Sequence, residues 1–344
     1  MSRISIALAT RNGEKFLPAQ LQSLVAQNTL PAELVVTDDC SEDRTVAIVR
    51  AFAERAPFPV QLVINDSTLG YRRNFMRAAE LCTGDLIAFC DQDDVWEANK
   101  LTAMTRVFED NDVLLAFHNA TLIDDGDEVR GRLYRGQRGI RIFEPLMRSP
   151  WLVAPGFTQV FRRDLMRWSD LHGATFDVDW PQEPLAHDQW FALLASVLGK
   201  IAFVRRPLAR YRQHGDNTFG VYPDRRARLY RLARGGKFIR LAAQAASSRS
   251  ELLERMQMRL PAEQRELAQR GIAYYSELRQ RLERRLDIYT SRSLSERARA
   301  MIALTRSGGY RRGHGSARFT NWDFLMDLYL AVPLGPRLQY LLPW

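Results

Sequence analysis

Short apolar runs alternate with amphipathic segments over residues 1–120 of this chain. The apolar runs are five or six residues long and rich in Ile, Leu and Val, which is typical of buried strands. They lie at 4–9, 33–37, 60–64 and 86–90. The segments between them carry apolar residues three or four positions apart, which predicts helices over 14–27, 45–55 and 71–82. Strands that alternate with helices form a parallel α/β sheet, so we predict a Rossmann-like fold for this part.

The pattern changes twice along the rest of the chain. Residues 121–215 read as loops with single apolar segments at 159–161 and 201–204. Beyond Pro223 the sequence becomes Arg-rich with long helical periodicity, and the apolar residues of one helix side are Leu267, Tyr274, Leu278, Leu282 and Tyr289. We therefore predict two domains, an α/β domain over 1–220 and a basic, mainly α-helical region over 221–344.

Composition narrows the class of protein without identifying it. The chain has 344 residues, of which 46% are hydrophobic and 26% charged, as in an ordinary globular protein. It has only three cysteines without metal-like spacing, which favours a reducing, cytoplasmic compartment. The first ten residues are too short an apolar run for a signal peptide, and no stretch approaches the roughly 18 apolar residues that span a membrane.

The net charge of +9 is unevenly distributed. Residues 221–320 contain 23 Lys and Arg against 9 Asp and Glu, a net charge of +14, whereas residues 1–220 contain 25 against 29, a net charge of −4. This separation predicts two functional surfaces. We expect the basic one to contact the anionic inner face of the plasma membrane peripherally, with an interfacial helix over 221–240. A solvated helical hairpin is the alternative.

The most informative segment is Asp91-Gln92-Asp93-Asp94, which directly follows the apolar run at 86–90. Carboxylates this close repel one another unless a cation neutralises them. Mg²⁺ or Mn²⁺ fits best, because such ions take carboxylate oxygens and share their ligand shell with substrate phosphates. The alternative is an acidic turn that caps a helix starting near Val95.

Three further polar segments follow predicted strands or open a predicted helix. They are residues 10–13 (Thr-Arg-Asn-Gly), 38–43 (Asp-Asp-Cys-Ser-Glu-Asp) and 70–74 (Gly-Tyr-Arg-Arg-Asn). With 91–94 they fall at the carboxyl edge of one sheet, where open α/β sheets bind ligands. Carboxylates there can accept hydrogen bonds from a nucleobase and a ribose, and Arg73 at a helix N-terminus can face a diphosphate. No G-x-G-x-x-G follows the first strand, which disfavours a dinucleotide.

As an ordered set, these segments over about 1–220 resemble family 2 glycosyltransferases, which have the GT-A nucleotide-diphospho-sugar transferase fold. The matching stretches are residues 12–17, 37–43, 84–89 and 91–96. The resemblance implies a metal-dependent, inverting transfer of a sugar from a nucleotide-diphosphate donor to a glycan or lipid-linked glycan acceptor, in bacterial surface polysaccharide synthesis. The Asp-Gln-Asp-Asp-Val-Trp form is similar to that of rhamnosyltransferases, which implies dTDP-rhamnose as the donor.

The same resemblance implies roles for individual residues. Asp39 with Asp38 would hold the nucleobase, Asp91 the ribose, and Asp93 the metal. The complete expected nucleotide-sugar set is Thr10, Asn12, Asp38, Asp39, Arg73, Asp91 and Arg212. Two positions depart from the family pattern, Cys40 where glycine is common and Arg11 where an aromatic residue is frequent.

Two later motifs complete the expected site. Asp188, in Ala-His-Asp-Gln-Trp ahead of an apolar helix, stands where the family has its general base, and a helix N-cap is the alternative. In Tyr-Arg-Gln-His-Gly at 211–215, Arg212 is expected on the diphosphate and His214 on the metal, with a loop hydrogen bond as the alternative for His214.

Two competing functions remain at this point. A basic nucleic-acid-binding protein would explain the charge of residues 221–320 but not the carboxylates at strand ends, which repel phosphate. A catalytically inactive glycosyltransferase-like scaffold would not need the complete acidic set. We therefore expect a nucleotide-sugar donor and a glycan acceptor as partners, and no nucleic acid.

Overall fold

A computed structural model describes residues 2–135, 139–151, 154–215, 235–310 and 321–337. Within these residues the chain forms two compact units. One comprises the described residues of 1–145, 151–169 and 186–221, and the other those of 146–150, 170–185 and 222–344. The sequence-based boundary near 220 lies in the segment 216–234, outside the described residues, and stays a prediction.

The first unit is built on a mixed sheet. Its strands are β1 (Ile4–Thr10), β2 (Glu33–Asp38), β3 (Val60–Ile64), β4 (Leu86–Cys90), β5 (Val95–Trp96), β6 (Val113–Ile123), β7 (Val129–Arg132), β8 (Ile140–Phe143), β9 (Gln159–Arg162) and β10 (Lys200–Arg212). The main path runs β3-β2-β1-β4-β9-β6-β10-β5, with β7 beside β6 and β8 beside β10. Strands β1 to β4 pair in parallel, whereas β9 is antiparallel to both of its neighbours.

The helices of this unit are α1 (Leu17–Val25), α2 (Thr45–Ala53), α3 (Tyr71–Leu81), α4 (Lys100–Val107) and α5 (His187–Leu198). Two 3₁₀ segments lie at Gly156–Thr158 and Arg163–Ala174. Strands β1 and β4 are buried along their whole length, as their uniform apolar composition predicts. The predicted α/β fold is confirmed, and parallel β1, β2 and β4 all end at the edge that carries the polar segments.

Two local expectations were wrong. No helix starts near Val95, because Val95 and Trp96 form β5, which pairs with Ala209 and Arg210 of β10. The acidic segment is therefore not a helix cap, and α4 begins only at Lys100. The segment 201–204 belongs to the thirteen-residue strand β10, whose charged and proline positions hide its strand pattern in the sequence.

The second unit contains α6 (Gly235–Gln257), α7 (Ala262–Thr290), α8 (Leu294–Arg306), α9 (Asn321–Met326), a π-helical turn (Asp327–Ala331) and two short turns at Val332–Leu334 and Gly335–Arg337. The predicted helical region is confirmed, and Tyr274, Leu278, Leu282 and Tyr289 are buried on one side of α7. Within the described part of the chain, no helix has both the length and the apolar character required to cross a membrane.

A buried carboxylate fixes the C-terminal helical turn of this unit. Asp327 is completely buried and accepts hydrogen bonds from the Nε of Arg285 at 2.8 Å, from the hydroxyl of Tyr289 at 2.7 Å and from the hydroxyl of Tyr310 at 2.5 Å. A buried charge that is paired and hydrogen-bonded in this way holds its segment in one place, because losing a partner would leave the other charge uncompensated.

Candidate active site

The ends of β1 and β2 are joined by side chains predicted to bind the nucleotide-sugar. Thr10 and Asp38 lie opposite each other in register, and the Thr10 hydroxyl donates to Asp38 at 2.7 Å. Asp38 also accepts the backbone N–H and the hydroxyl of Ser41, at 2.8 and 2.6 Å. Asp38 is completely buried, and these hydrogen bonds hold the loop after β2 in its conformation.

Two residues with left-handed backbone conformation bring the loops after β1 and β2 together. Asn12 has φ of 47°; its N–H donates to the Ser41 hydroxyl and its Oδ1 accepts the N–H of Glu42, both at 2.9 Å. Cys40 has φ of 61°, a region that favours glycine. This positive φ explains why glycine is common at this position in the family that the sequence resembles. The thiol of Cys40 donates to the carbonyl of Asn65 at 3.2 Å.

The carboxylate of Asp39 is held at the N-terminus of α3. It accepts the backbone N–H groups of Leu69 and Gly70 at 2.7 and 2.9 Å, and the Nδ2 of Asn65 at 2.8 Å. Gly70 has φ of 80°, which a side chain would make unfavourable. Asp39 is thus fixed by neutral donors at the same sheet edge as Thr10 and Asp38.

Asn65 is a site residue that no sequence motif indicated, and Asn74 was named only as the last residue of the segment 70–74, without a role. Asn74 is buried; its Nδ2 donates to the carbonyl of Thr37 at 2.9 Å and its Oδ1 accepts the Nδ2 of Asn65 at 2.9 Å. The hydroxyl of Thr37 in turn donates to the carbonyl of Asn74 at 3.0 Å. One signal was present, since Asn74 lies four residues before Ala78 on the side of α3 that faces the sheet.

Asp91, Asp93 and Asp94 form a compact cluster directly after β4. Each offers a carboxylate oxygen, and these three oxygens lie within 4.8 Å of one another. Asp94 is completely buried and accepts the backbone N–H of Arg212 at 3.0 Å, while its Oδ2 has no hydrogen-bond partner among the described residues. Clustered carboxylates with an unsatisfied buried oxygen fit the oxygen-rich ligand shell of Mg²⁺ or Mn²⁺.

Burial makes this cluster difficult to ionise. Burial, with the negative charges of Asp93 and Asp188, raises the pKa of Asp91 to about 8. Burial and the neighbouring carboxylates also raise the pKa of Asp94 well above its ordinary value. Lys100 opposes both shifts, and burial lowers its own pKa to about 7. A divalent cation would favour the ionised carboxylates, since metal ligands must be deprotonated.

His214 and Arg212 both contact the acidic segment. The Nε2 of His214 lies 2.9 Å from the Oδ2 of Asp93, so the structure brings the two predicted metal ligands together. Arg212 is 2% exposed, and its Nε donates to the carbonyl of Asp93 at 3.0 Å. Its other nitrogens donate to the carbonyl of Asp124 at 3.1 Å and to the carboxylate of Asp127 at 2.8 Å. Arg212 therefore fastens the turn after β6 to the acidic segment, and its contact with a diphosphate stays a prediction.

Asp188 is the second residue of α5, whose N-cap is Ala186, so the alternative of a helix N-cap is wrong. The negative charge of Asp188 contributes to the raised pKa of Asp91. The carbonyl of Asp188 accepts the Nε2 of Gln159 from β9 at 3.2 Å, which ties this end of α5 to the sheet. The preceding His187 is buried against aromatic rings, with its ring centroid 4.0 Å from that of Phe75 and 4.6 Å from that of Phe89.

Arg73 is exposed, as Asn12 is, whereas the other predicted site residues are buried or half-buried. It is the third residue of α3, whose N-terminus also supplies the N–H groups that bind Asp39. A cation in the first turn of a helix favours an anion such as a diphosphate, because the helix N-terminus itself carries a partial positive charge. The role of Arg73 stays a prediction.

The fold and the site define a class of protein, the GT-A glycosyltransferases: a mixed α/β sheet with acidic side chains at its parallel strand ends, joined to helices. Residues 5–167 match the family model "Glycosyl transferase family 2". These residues, just under half of the chain, therefore form a glycosyltransferase family 2 domain.

The chain is similar to several known proteins. It is 26% identical over 222 residues to an uncharacterized glycosyltransferase of Nostoc sp., an alignment that covers 63% of this chain and just under two thirds, 66%, of the relative. It is 24% identical over 238 residues to the dTDP-rhamnosyl transferase RfbG of Shigella flexneri, covering 65% of this chain and 78% of RfbG. The crystal structure of S. aureus TarS 1–349 matches 90% of this chain and 93% of its own chain, with a TM-score of 0.52 and 17% identity; the same fragment has been solved with UDP-GlcNAc.

Proposed function

We propose that this protein is an inverting, divalent-metal-dependent glycosyltransferase that moves a sugar from a nucleotide-diphosphate donor to a glycan acceptor in bacterial surface polysaccharide synthesis. The observation that carries the proposal is the assembly of Asp91, Asp93 and Asp94 at the end of β4, with Asp188 close enough to affect the pKa of Asp91. A nucleic-acid-binding role does not account for this concentration of negative charge.

The donor would bind along the carboxyl edge of the sheet. Asp39, oriented by the N-terminus of α3, would face the nucleobase, Asp91 the ribose, and Arg73 the diphosphate, while the buried Asp38 would hold the loop after β2 in position. Thr10 and Asn12 would keep the first two loops in position through their bonds to Asp38 and Glu42. These loops would be held in place before the donor binds, so that the bound donor is already oriented for the reaction.

Asp93 and His214 would hold a Mn²⁺ or Mg²⁺ ion. When bound, such an ion would neutralise negative charge on the leaving diphosphate. The chain's own contribution is to keep the imidazole and the carboxylate 2.9 Å apart, with His214 packed 5.0 Å from the ring of Phe16, centroid to centroid.

Asp188 would be the general base. As an acceptor hydroxyl attacks the anomeric carbon, the bond from that carbon to the diphosphate oxygen breaks and the hydroxyl proton passes to the Asp188 carboxylate. Attack on the face opposite the leaving group inverts the anomeric configuration. The bond from Gln159 to the Asp188 carbonyl would hold this residue on the acceptor side.

We propose dTDP-rhamnose as the first donor to test. The similarity to RfbG, named a dTDP-rhamnosyl transferase, supports it, as does the Asp-Gln-Asp-Asp-Val-Trp sequence at 91–96. The TarS fragment solved with UDP-GlcNAc makes this nucleotide sugar the appropriate competitor.

We also propose that the basic region meets an anionic membrane peripherally, where a lipid-linked acceptor would lie on the cytoplasmic face. Two observations support this: the net charge of +14 over residues 221–320, and an exposed apolar side formed by Leu325, Leu328 and Tyr329. These three residues lie three and four positions apart, as on an interfacial helix. The predicted interfacial helix over 221–240 lies mostly outside the described residues.

Donor turnover with an oligosaccharide or lipid-linked acceptor pool tests the catalytic proposal. We expect nucleoside-diphosphate release from one donor with Mn²⁺, its loss in excess EDTA, and an inverted anomeric configuration of the product by NMR. Full turnover in EDTA by protein free of bound metal would contradict the metal assignment, and a retained configuration would contradict the role of Asp188.

A further inference from the structure

Gln92 is the neutral residue of the acidic segment 91–94, and its side-chain amide contacts the loop after β1. Its Oε1 accepts the backbone N–H of Arg11 at 2.9 Å, and its Nε2 donates to the carbonyl of the same residue, also at 2.9 Å. Opposite residues of two antiparallel strands exchange the same pair of bonds. The Gln92 side chain thus pairs with this loop as a neighbouring strand would.

The two bonds require an amide at position 92. A primary amide offers a carbonyl acceptor and an N–H donor side by side, whereas an ionised carboxylate only accepts and a thioether side chain does not donate. Arg11 uses both of its main-chain groups in this contact, which fixes the amide in one orientation. Glutamine, unlike glutamate or methionine of nearly the same length, can therefore make both bonds.

Gly13 leaves the space that the Gln92 side chain occupies. Gly13 is buried, and a Cβ there would lie 2.4 Å from the Oε1 of Gln92, with the three nearest heavy atoms all in this side chain. An added methyl group would displace the amide, because close-packed atoms cannot overlap and the end of a side chain moves more easily than backbone. Gly13 and Gln92 therefore form a matched pair that joins the loop after β1 to the acidic segment.

The loop after β1 is also bonded to the loop after β2. The N–H of Gly13 donates to the hydroxyl of Thr45 at 2.7 Å, and the N–H of Asn12 donates to the hydroxyl of Ser41 at 2.9 Å. The Ser41 hydroxyl donates in turn to the carboxylate of Asp38 at 2.6 Å. A continuous series of contacts thus runs from the acidic segment, through the loop after β1, to the end of β2 beside the expected nucleobase site.

We propose that Gln92 is a positioning residue of the donor site, through which a divalent cation on the acidic segment orders the two loops that hold the nucleotide. This inference rests on the proposed metal site. Gln92 lies between Asp91 and Asp93 in the chain, so a cation that holds these carboxylates also fixes the backbone that carries Gln92. The fixed amide then holds Arg11, and the bonds between the loops extend this order to the loop after β2. The metal thereby prepares the nucleobase site without contacting it.

Hydrogen–deuterium exchange, followed by mass spectrometry, tests this inference with Mn²⁺ alone as the probe. Calorimetry first gives the Mn²⁺ concentration that saturates each variant. In the wild type, we expect saturating Mn²⁺ to slow amide exchange of residues 11–14 and 41–45 by about tenfold, because local opening becomes less frequent. In Gln92→Ala the first loop should exchange about fivefold faster in EDTA, since its bonds to the amide are lost. Mn²⁺ should no longer slow exchange in either loop of this variant.

Two further variants separate this contact from a general loss of structure. Gln22→Ala, at an exposed position of α1, is the matched control and should respond to Mn²⁺ as the wild type does. Gly13→Ala should speed exchange of residues 11–14 in EDTA about as much as Gln92→Ala does, because the methyl group displaces the amide. In the Gln92→Ala background, Gly13→Ala should add little, since the side chain that it would meet is gone.

Three results would overturn the inference. The loops could ignore bound Mn²⁺ in the wild type, they could still respond to it in Gln92→Ala, or the effects of Gly13→Ala and Gln92→Ala could simply add. If the wild type binds no Mn²⁺, the metal assignment fails and the coupling fails with it. The comparison in EDTA then still decides whether Gln92 holds the loop after β1.

Discussion

Asp188 is the residue on which the proposed transfer step depends most. Asp188→Asn keeps the size of the side chain but removes the proton acceptor, so we expect the transfer rate to fall about 10²–10⁴-fold with donor affinity retained. Initial rates and a donor titration measure the two effects. Asp110→Asn, at an exposed carboxylate beside Lys200, is the matched control. A near wild-type rate for Asp188→Asn would place the base elsewhere, since the N-cap of α5 is already Ala186.

The buried carboxylates predict a pH dependence of metal binding. Burial and the charges of Asp93 and Asp188 raise the pKa of Asp91 to about 8, so below that pH a proton on this carboxyl opposes metal binding. Apparent Mn²⁺ affinity should therefore rise from pH 6 to pH 8 and level off above. Calorimetry in buffers of different ionisation enthalpy counts the protons released at pH 7. An affinity independent of pH, with no proton release, would show that the cluster is already ionised.

Residues at strand ends could be predicted because strand order alone brings them to one edge. Asp39, Asp91 and Asp93 are of this kind. Asn65 could not be predicted in this way, because its part in the site comes from burial and from its hydrogen bonds to Asp39 and Asn74. The sequence places Asn74 at the start of a helix, but its buried hydrogen bond to the carbonyl of Thr37 in β2 depends on tertiary packing.

At the scale of elements, Asn74 joins α3 to the ends of β1 and β2. Asn74→Ala removes the bonds to the Thr37 carbonyl and Asn65 and leaves buried groups unpaired, which should lower the free energy of unfolding by about 2–4 kcal/mol. Denaturant unfolding measures this loss. We also expect weaker nucleotide binding, because Asn65 orients Asp39.

Asn111→Ala, at an exposed position, is the control for this helix–sheet junction. It should change stability by less than about 0.5 kcal/mol. Equal stability of the two variants would mean that the asparagine network contributes little to the junction.

The elements that could be predicted are those with uniform patterns. β3 and β4 begin and end where their apolar runs do, and α3 ends one residue earlier than predicted. The long strand β10 escaped prediction because it alternates Arg with apolar residues and contains Pro207. Strand β5 escaped because two residues have no periodicity, and only pairing with β10 defines them.

At the scale of the whole molecule, the separation of charge predicts salt-sensitive membrane binding. The intact protein should bind anionic liposomes at low salt and dissociate as salt rises, because exposed charges are screened over about 8 Å at physiological ionic strength. Leu325→Ser with Tyr329→Ser should weaken binding without lowering the melting temperature, since both side chains are exposed. Liposome sedimentation measures the bound fraction.

Leu30→Ser is the matched control, an exposed leucine of the catalytic sheet unit. It should bind liposomes as the wild type does. If the intact protein does not bind at low salt, the arginine-rich helices are solvated or mediate self-association, and light scattering of the same sample separates these two cases.

The central claim is that the acidic strand end binds a nucleotide diphosphate together with a metal. The most direct test is calorimetric titration of dTDP, UDP and GDP into wild-type protein and Asp93→Asn, with Mn²⁺ and with EDTA. We expect one nucleotide to bind the wild type with Mn²⁺ and to lose about tenfold or more in affinity both in EDTA and in Asp93→Asn. Equal affinity in all conditions, or binding of none of the three nucleotides, would contradict the claim.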